Sequence, residues 1–257
     1  MHLGRGADLE QRVRGDGDPW LPTAVWVRLL ASLGLPAATA RTSLHRMDKG
    51  GYLDRAARDG VSGYAMSGAW HRFVAAGEPG WADRVDEQTR WLLVLFSVPE
   101  ARRDLRHALR ALPERSGLTP MGNGTWLGPE VLAPEVERVL RESELSGYAD
   151  LFLAEHQGFG PGLAERCWNL DEAAREAGDF VRAVHEAANR HSAEHAFLDV
   201  VTLHNAWRRL QPRIPPLPSR MFPPNSGSWV KAETALKDLL TTRLPAARTW
   251  VDTLRAQ

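Results

Sequence analysis

The segment from Thr23 to Lys49 constrains the fold most, because it holds two helical patterns separated by one short break. Apolar residues recur at spacings of three and four after Thr23, which we expect to cap the first helix. Gly34 suits the left-handed position that ends a helix, and Pro36 suits the start of the next one, to about Lys49. The first helix carries Trp26, Leu29, Leu30 and Leu33 on one stripe, and the second has Ala40, Leu44 and Met47 on its buried face.

A β-hairpin is predicted directly after the second helix. Two short apolar stretches between residues 52 and 66 flank Asp59-Gly60, a strong signal for a tight hairpin turn. Two helices joined by a short Gly-containing turn and followed by a hairpin are typical of a helix-turn-helix with a wing. Between Trp20 and Phe73, seven basic side chains stand against three acidic ones, although the whole chain has 32 of each. The neutral total therefore conceals a basic N-terminal module.

The polar side of the second helix carries the residue types that contact DNA. A recognition helix buries one stripe and presents short polar and cationic side chains to the major groove, where arginine can bind guanine or phosphate. The hairpin arginines favour phosphate or minor-groove contacts. The plain alternative is a solvated helix face without a function, on which some of the arginines could pair with Asp48 or Asp54, and both readings stay open. The candidate DNA-binding residues are Thr39, Arg41, Thr42, Ser43, His45, Arg46, Lys49, Arg55 and Arg58.

The rest of the chain predicts two further domains. Its middle part reads as strand 91–98, helix 99–112, two strands around Met121 and Trp126 that flank the turn Asn123-Gly124, helix 134–141 and strand 148–154. This is the ferredoxin-like βαββαβ order. Helices follow over Leu170–Ala188, over Ala193–Leu210 and from Trp229 to about Leu244. We therefore expect an α+β multidomain protein with domains 1–80, 81–165 and 166–257.

The cysteine count and the length of the apolar runs indicate the cellular compartment that we expect for this chain. The single cysteine, Cys167, excludes a disulfide scaffold and fits a reducing compartment, and next to Trp168 it reads as packed rather than nucleophilic. The longest apolar run, residues 91–96, is too short to span a bilayer, and residues 1–8 lack the apolar core of a signal peptide. The chain is thus expected to be cytoplasmic, without a membrane span.

One motif supports a rival function. His191-Ser-Ala-Glu-His195 matches the H-x-x-E-H pattern of inverted zinc peptidases, in which two histidines on one helical face bind zinc and the glutamate activates water. Three fixed residues match often by chance, so ordinary helical histidines are the favoured reading. We expect no catalytic residue and no metal site. The hydrolase and a protein that keeps the fold but only binds other proteins remain the alternatives.

Five blocks in order along the chain resemble the PaaX family of bacterial transcriptional repressors, whose namesake controls phenylacetate degradation. No single block is specific to the family, but five blocks in the family's order over about residues 20 to 245 are unlikely to occur by chance. The blocks are Val25–Gly34 with Ala40–Met47 and Gly51-Tyr-Leu53, Trp91–Glu100, Gly124–Pro129, Trp168-Asn-Leu-Asp171, and His204–Arg208 leading into Pro216-Leu-Pro218.

The resemblance implies an N-terminal winged helix, a Cas2-like middle domain, a helical C-terminal domain, a homodimer on an operator in double-stranded DNA, and an acyl-CoA effector such as phenylacetyl-CoA. The chain also departs from the family pattern. Residues 1–17 are poor in the apolar residues of the usual first helix, and the hairpin has Asp59-Gly60-Val61 where a Gly-Arg pair is usual. The middle domain has Val85-Asp86-Glu87 for the usual Trp-Asp-Gly, and the proline segment also differs.

Overall fold

The computed structural model describes residues 20–68, 85–87, 89–99, 117–122, 124–143, 145–158 and 162–256. Its packing divides the chain into two compact units. The first takes the described residues of Met1–Gly80, Ala188–Thr202 and Leu239–Gln257, and the second those of Trp81–Ala187 and Leu203–Asp238. The three sequence-based domain boundaries stay a prediction. The helix predicted over 99–112 and the linker expected near residues 77–80 lie outside the described residues.

The described residues form seven strands and seven α-helices. The strands are β1 Leu21–Pro22, β2 Leu53–Arg58, β3 Val61–Met66, β4 Trp91–Phe96, β5 Thr119–Gly122, β6 Thr125–Pro129 and β7 Ala149–Ala154. The helices are α1 Thr23–Ser32, α2 Ala37–Lys49, α3 Ala133–Glu142, α4 Leu163–Cys167, α5 Leu170–Ala188, α6 Ala193–Leu210 and α7 Trp229–Arg255.

At the break between α1 and α2, Gly34 has the left-handed backbone conformation that the sequence predicts. Gly34 has a φ of 87°, and its N–H donates to the Ala31 carbonyl at 2.9 Å while the Leu35 N–H donates to Leu30 O at 3.0 Å. These two bonds satisfy the last carbonyls of α1 in the Schellman arrangement. Pro36 then precedes α2, and the two helices meet at 120°. In the described part of the chain no single helix is long and apolar enough to cross a membrane; α1 and α2 together reach those limits across their bend.

Two sequence expectations about these helices are wrong. Thr23 is the first residue of α1 and does not cap it; its hydroxyl donates to the Ser62 carbonyl at 3.0 Å, joining the helix to β3. Met47 is 38% exposed, whereas Ala40 and Leu44 are buried as predicted. The buried stripe of α2 is therefore narrower than its apolar residues suggest.

Helix α1 packs on two sides rather than along one stripe. One cluster joins it to α2 and the hairpin strands, and the second joins it to residues of α6 and α7 that belong to the same unit. The first cluster comprises Val27, Ala40, Leu44, Leu53 and Tyr64. The second comprises Leu21, Val25, Leu29 and Leu254, with Trp26, Phe197, Trp250 and Val251 packed against it.

Strands β2 and β3 form the predicted hairpin. Arg58 pairs with Val61 across a two-residue turn, and both turn residues have positive φ, 49° for Asp59 and 78° for Gly60. This backbone matches the twist of the paired strands, which is why Asp-Gly is favoured there. Strand β1 pairs with β3, giving the sheet order β1-β3-β2.

The sheet of the second unit has the order β5-β6-β4-β7, with every pairing antiparallel. Its described elements follow the predicted βαββαβ order; the first helix of that order falls outside the described residues. Leu92 and Val94 are buried on one face of β4, and Trp91 is buried on the other. Helix α3 buries Val136 and Leu140.

Tryptophans hold the helical part of this unit. The ring of Trp207 in α6 lies 5.6 Å from that of Phe180 in α5 and 4.9 Å from that of Trp229 in α7. Helices α5 and α6 have the predicted bounds. Helix α7 continues through Pro245 to Arg255, about ten residues beyond its predicted end, because its last turns bury side chains in the first unit.

Candidate nucleic-acid interface

The exposed side of α2 is organised around a stripe opposite its buried residues. A helix turns about 100° per residue, so residues 38, 42, 45 and 49 lie nearly opposite Ala40 and Leu44. Thr42, His45 and Lys49 are all exposed on this outward stripe. The Thr42 hydroxyl donates to the Ala38 carbonyl at 3.1 Å, so its proton already has a partner.

The remaining predicted residues of α2 lie beside the outward stripe. Arg46 and Thr39 lie on one flank, Arg41 lies on the other, and all three are exposed. Ser43 is half-buried towards the core side of the helix. The nine predicted DNA-binding residues therefore do not form one face: α2 presents a broad polar surface about its outward stripe, with Ser43 at the edge.

In the described part of the chain, the cations of α2 are not paired with the two acids that the sequence suggested as partners. Arg41, Arg46 and Lys49 form no ion pair with Asp48 or Asp54 within the described residues. Arg46 and Lys49 occupy the last turn of the helix, where positive charge also complements the helix dipole. Arg41, in the middle of the helix, has no such local role.

The two hairpin arginines lie on opposite faces of β2, because they are three residues apart in a strand whose side chains alternate. The Arg55 guanidinium donates from Nε to the Ser62 hydroxyl at 3.3 Å. The Arg58 guanidinium lies over the indole ring of Trp20, 5.0 Å from its centroid. Each arginine is thus held by a different neighbour on its own face.

Sequence reasoning missed three participants in this surface. Trp20 and Ser62 hold the arginines, and Ala38 shares the outward stripe of α2. Trp20 lies 38 residues from Arg58, so no local pattern connects the two. A signal was present in Gly63, since a glycine inside a strand often marks the close approach of another group.

The residues of the zinc-peptidase motif do not form a metal site. His191 lies before α6 rather than on it, so the two histidines do not share a helical face. Ser192 caps the helix: its hydroxyl accepts from the His195 N–H at 3.0 Å and bonds His195 Nδ1 at 2.7 Å. Glu194 Oε1 accepts from the Ser32 hydroxyl at 3.2 Å. Within the described ranges no group of three His, Cys, Asp or Glu side chains is placed to hold a metal.

The second unit contains an open cleft of about 790 Å³ lined by residues 165–171 and 220–224. Its lining combines the aromatic Trp168 and Phe222 with two arginines and two acids. The charged lining residues are Arg166, Arg220, Glu165 and Asp171. Trp168 stacks on Trp91 at 5.9 Å.

Cys167 also lines this cleft and is half-buried. Burial raises the pKa of its thiol, with nearby Arg166 acting in the opposite direction. A raised pKa disfavours the thiolate, which is the nucleophilic form of cysteine. The packed rather than nucleophilic reading of Cys167 stays a prediction.

Comparison with known proteins supports the resemblance noted in the sequence. Residues 17–70 match the family model for PaaX-like protein, and residues 84–164 match the model for the PaaX protein central Cas2-like domain. No curated protein matches the chain. The uncharacterized protein Rv0674 from Mycobacterium tuberculosis has a similar fold, with a TM-score of 0.59 and 21% sequence identity over 97% of each chain. The two family matches cover the basic N-terminal module and the four-stranded sheet, and the chain therefore belongs to the PaaX family of transcriptional regulators.

Proposed function

We propose that this chain is a DNA-binding transcriptional regulator whose first unit contains a winged helix-turn-helix. The observation that carries the proposal is the exposed surface of α2, where the cations Arg41, Arg46 and Lys49 have no acidic partner among the described residues. The 120° crossing of α1 and α2 is within the usual range for a helix-turn-helix. Helix α2 would then be the recognition helix, placed in the major groove.

The hairpin β2–β3 serves as the wing in this proposal. Its tight Asp59-Gly60 turn projects a narrow two-stranded ribbon, and Arg55 and Arg58 give that ribbon positive charge on both faces. Such charges suit the phosphates beside the groove that α2 enters. In this proposal α2 contacts the bases, and the hairpin contacts the DNA backbone.

Family membership supports the dimeric repressor form of this function. A homodimer would place two copies of α2 on two half-sites about one helical turn of DNA apart, so the operator is expected to be an imperfect palindrome. Repression would follow from occupancy of a promoter by the dimer.

We further propose release by a small-molecule effector of the acyl-CoA type, such as phenylacetyl-CoA. The cleft lined by Trp168, Phe222, Arg166 and Arg220 supports this, because its size is typical of ligand sites and its lining offers both aromatic and cationic groups. The effector would weaken DNA binding by its higher affinity for the dimer that does not bind DNA.

Fluorescence anisotropy tests the DNA-binding function directly. Labelled duplexes that tile the DNA immediately upstream of the protein's own gene and the flanking promoters are titrated with purified protein in excess non-specific competitor. Retained binding to one duplex, steepening as salt falls, is the expected result. The control variant is Arg209→Ala, which removes an exposed arginine of the second unit and should bind the duplex as the wild type does. Loss of all binding to competitor would contradict the proposal and favour the protein-interaction alternative.

The effector is tested with the same retained duplex. Phenylacetyl-CoA, other acyl-CoA thioesters and free coenzyme A are added to the preformed complex, and release by one thioester but not by coenzyme A is expected. Trp168→Ala should reduce that release without changing DNA affinity. Release that is unaffected by this substitution would remove the cleft as the effector site.

A further inference from the structure

The indole of Trp20 lies between the hairpin backbone and the Arg58 guanidinium. Its Nε1–H donates to the Ala56 carbonyl on β2 at 3.2 Å, and Arg58 Cζ lies 5.0 Å from the ring centroid. On β3 the ring passes Gly63, where an added Cβ would come within 2.5 Å of Trp20 Cζ2. The indole therefore occupies a space that β3 leaves open only because residue 63 has no side chain.

The backbone of Trp20 is also fixed. The Arg255 guanidinium donates to the Trp20 carbonyl at 2.7 Å, and the next residue, Leu21, pairs with Tyr64 of β3. A ring held by its backbone, by one hydrogen bond and by a glycine-lined surface has little freedom to move. It can serve as a rigid platform for the side chain above it.

A rigid aromatic platform restricts the rotamers of a charged side chain at the tip of a hairpin. Arg58 is the last residue of β2, directly before the turn, and its side chain is exposed. An exposed arginine loses rotamer freedom when its guanidinium lies over an aromatic face, because that contact favours one orientation of the planar group. Fixing a long side chain before binding is worth about three- to tenfold in affinity.

We propose that Trp20 is a positioning residue that fixes the Arg58 guanidinium for contact with a DNA phosphate. This inference rests on the proposed DNA-binding function and assigns Trp20 a role in it. Arg58 makes the contact, and Trp20 acts only through Arg58.

A double-mutant cycle on duplex DNA tests this assignment. The wild type, Trp20→Leu, Arg58→Ala and the double variant are titrated by anisotropy against the retained promoter duplex at several salt concentrations. Arg58→Ala should weaken binding about tenfold and lower the salt slope by about one. Trp20→Leu should weaken binding about three- to tenfold in the presence of Arg58 and have no further effect in the Arg58→Ala background.

Thermal unfolding of each variant separates positioning from stability, and Trp20→Met, which has no aromatic face, replaces Trp20→Leu if the latter does not fold. Trp20→Phe keeps an aromatic face and should bind about as tightly as the wild type. Equal losses from the Trp20 substitution in both backgrounds would overturn the proposal, as would an Arg58→Ala variant that binds like the wild type. These results leave the proposed function intact, since the wild type still binds. A wild type that binds no duplex would overturn both.

Discussion

Leu254 in the last turn of α7 and Val25 in α1 belong to one buried apolar cluster. The first helix of the basic module is thus supported by residues near the C-terminal end of the chain, more than 200 positions away. Family members usually begin with an apolar helix, whereas residues 1–17 of this chain are poor in apolar residues. Residues of α7 supply apolar support to α1 in the described structure.

Truncating Leu254 should therefore destabilise the basic module. Leu254→Ala removes a side chain that is 3% exposed, and we expect a loss of about 2–5 kcal/mol in unfolding free energy. Hydrogen exchange should report faster amide exchange in α1. The matched control is Leu236→Ala, which truncates a buried leucine of the second unit and should leave amide exchange in α1 unchanged. Faster exchange in α1 for this control but not for Leu254→Ala would contradict the prediction.

The close approach of Trp20 to β3 predicts a strong effect of one methyl group. Gly63→Ala places a Cβ 2.4 Å from the Leu21 carbonyl oxygen and against the indole, so we expect a loss of about 1–3 kcal/mol in chemical denaturation. Gly147→Ala, where nothing lies within 4 Å, should change stability little. Equal stability of the two variants would show that the Trp20 packing is not tight.

The ion pair between Arg190 and Asp199 predicts a charge-specific loss. Asp199 is 1% exposed and its Oδ1 lies 2.5 Å from Arg190 Nη2, so Arg190→Ala leaves a buried carboxylate without its cation. We expect a loss of about 2–3 kcal/mol, because Arg190 itself is half-exposed. Adding Asp199→Asn to that variant should recover part of the loss. No recovery in urea unfolding would argue against the electrostatic origin.

Glu130 and Arg90 predict an acid-dependent contribution to stability. The hydrogen bond from Arg90 lowers the pKa of the Glu130 carboxyl below its ordinary value of 4.5. The stabilisation is therefore fully present above pH 4.5 and is lost as the pH falls through the lowered value. The difference in unfolding free energy between the wild type and Glu130→Gln should be constant from pH 7 to 5 and shrink below 4.5. A difference that does not change with pH would contradict this.

Local patterns predicted much of the fold. The bounds of α2, α5 and α6, the Gly34 helix end and the Asp59-Gly60 turn all depend on residues close in sequence, and each was correctly predicted. Thr23 and Met47 were assigned wrongly, because Thr23 bonds to a strand 39 residues away and the packing around α2 leaves Met47 exposed. The last turns of α7, beyond Leu244, were missed because they pack against residues of α1 that lie more than 200 positions away.

For the candidate site too, local sequence predicted some features and could not predict others. The residue types of α2 could be selected from the sequence, but the position of His45 on the outward stripe and of Ser43 at its edge depends on which residues are buried. The contact of Arg58 with Trp20 needs the β1–β3 pairing that brings residue 20 beside the hairpin. Long-range pairing of this kind has no local sequence signal.

The most direct test of the account is the ratio of affinities for the retained promoter duplex and a non-specific duplex. It is measured by anisotropy for the wild type and for a variant in which Thr42, His45 and Arg46 are replaced by alanine, with circular dichroism and thermal unfolding to show that both are folded. If α2 reads bases, each base contact is worth about 1–3 kcal/mol, so the ratio should fall towards one while non-specific binding changes far less. An unchanged ratio in the folded variant would show that α2 is not the recognition helix.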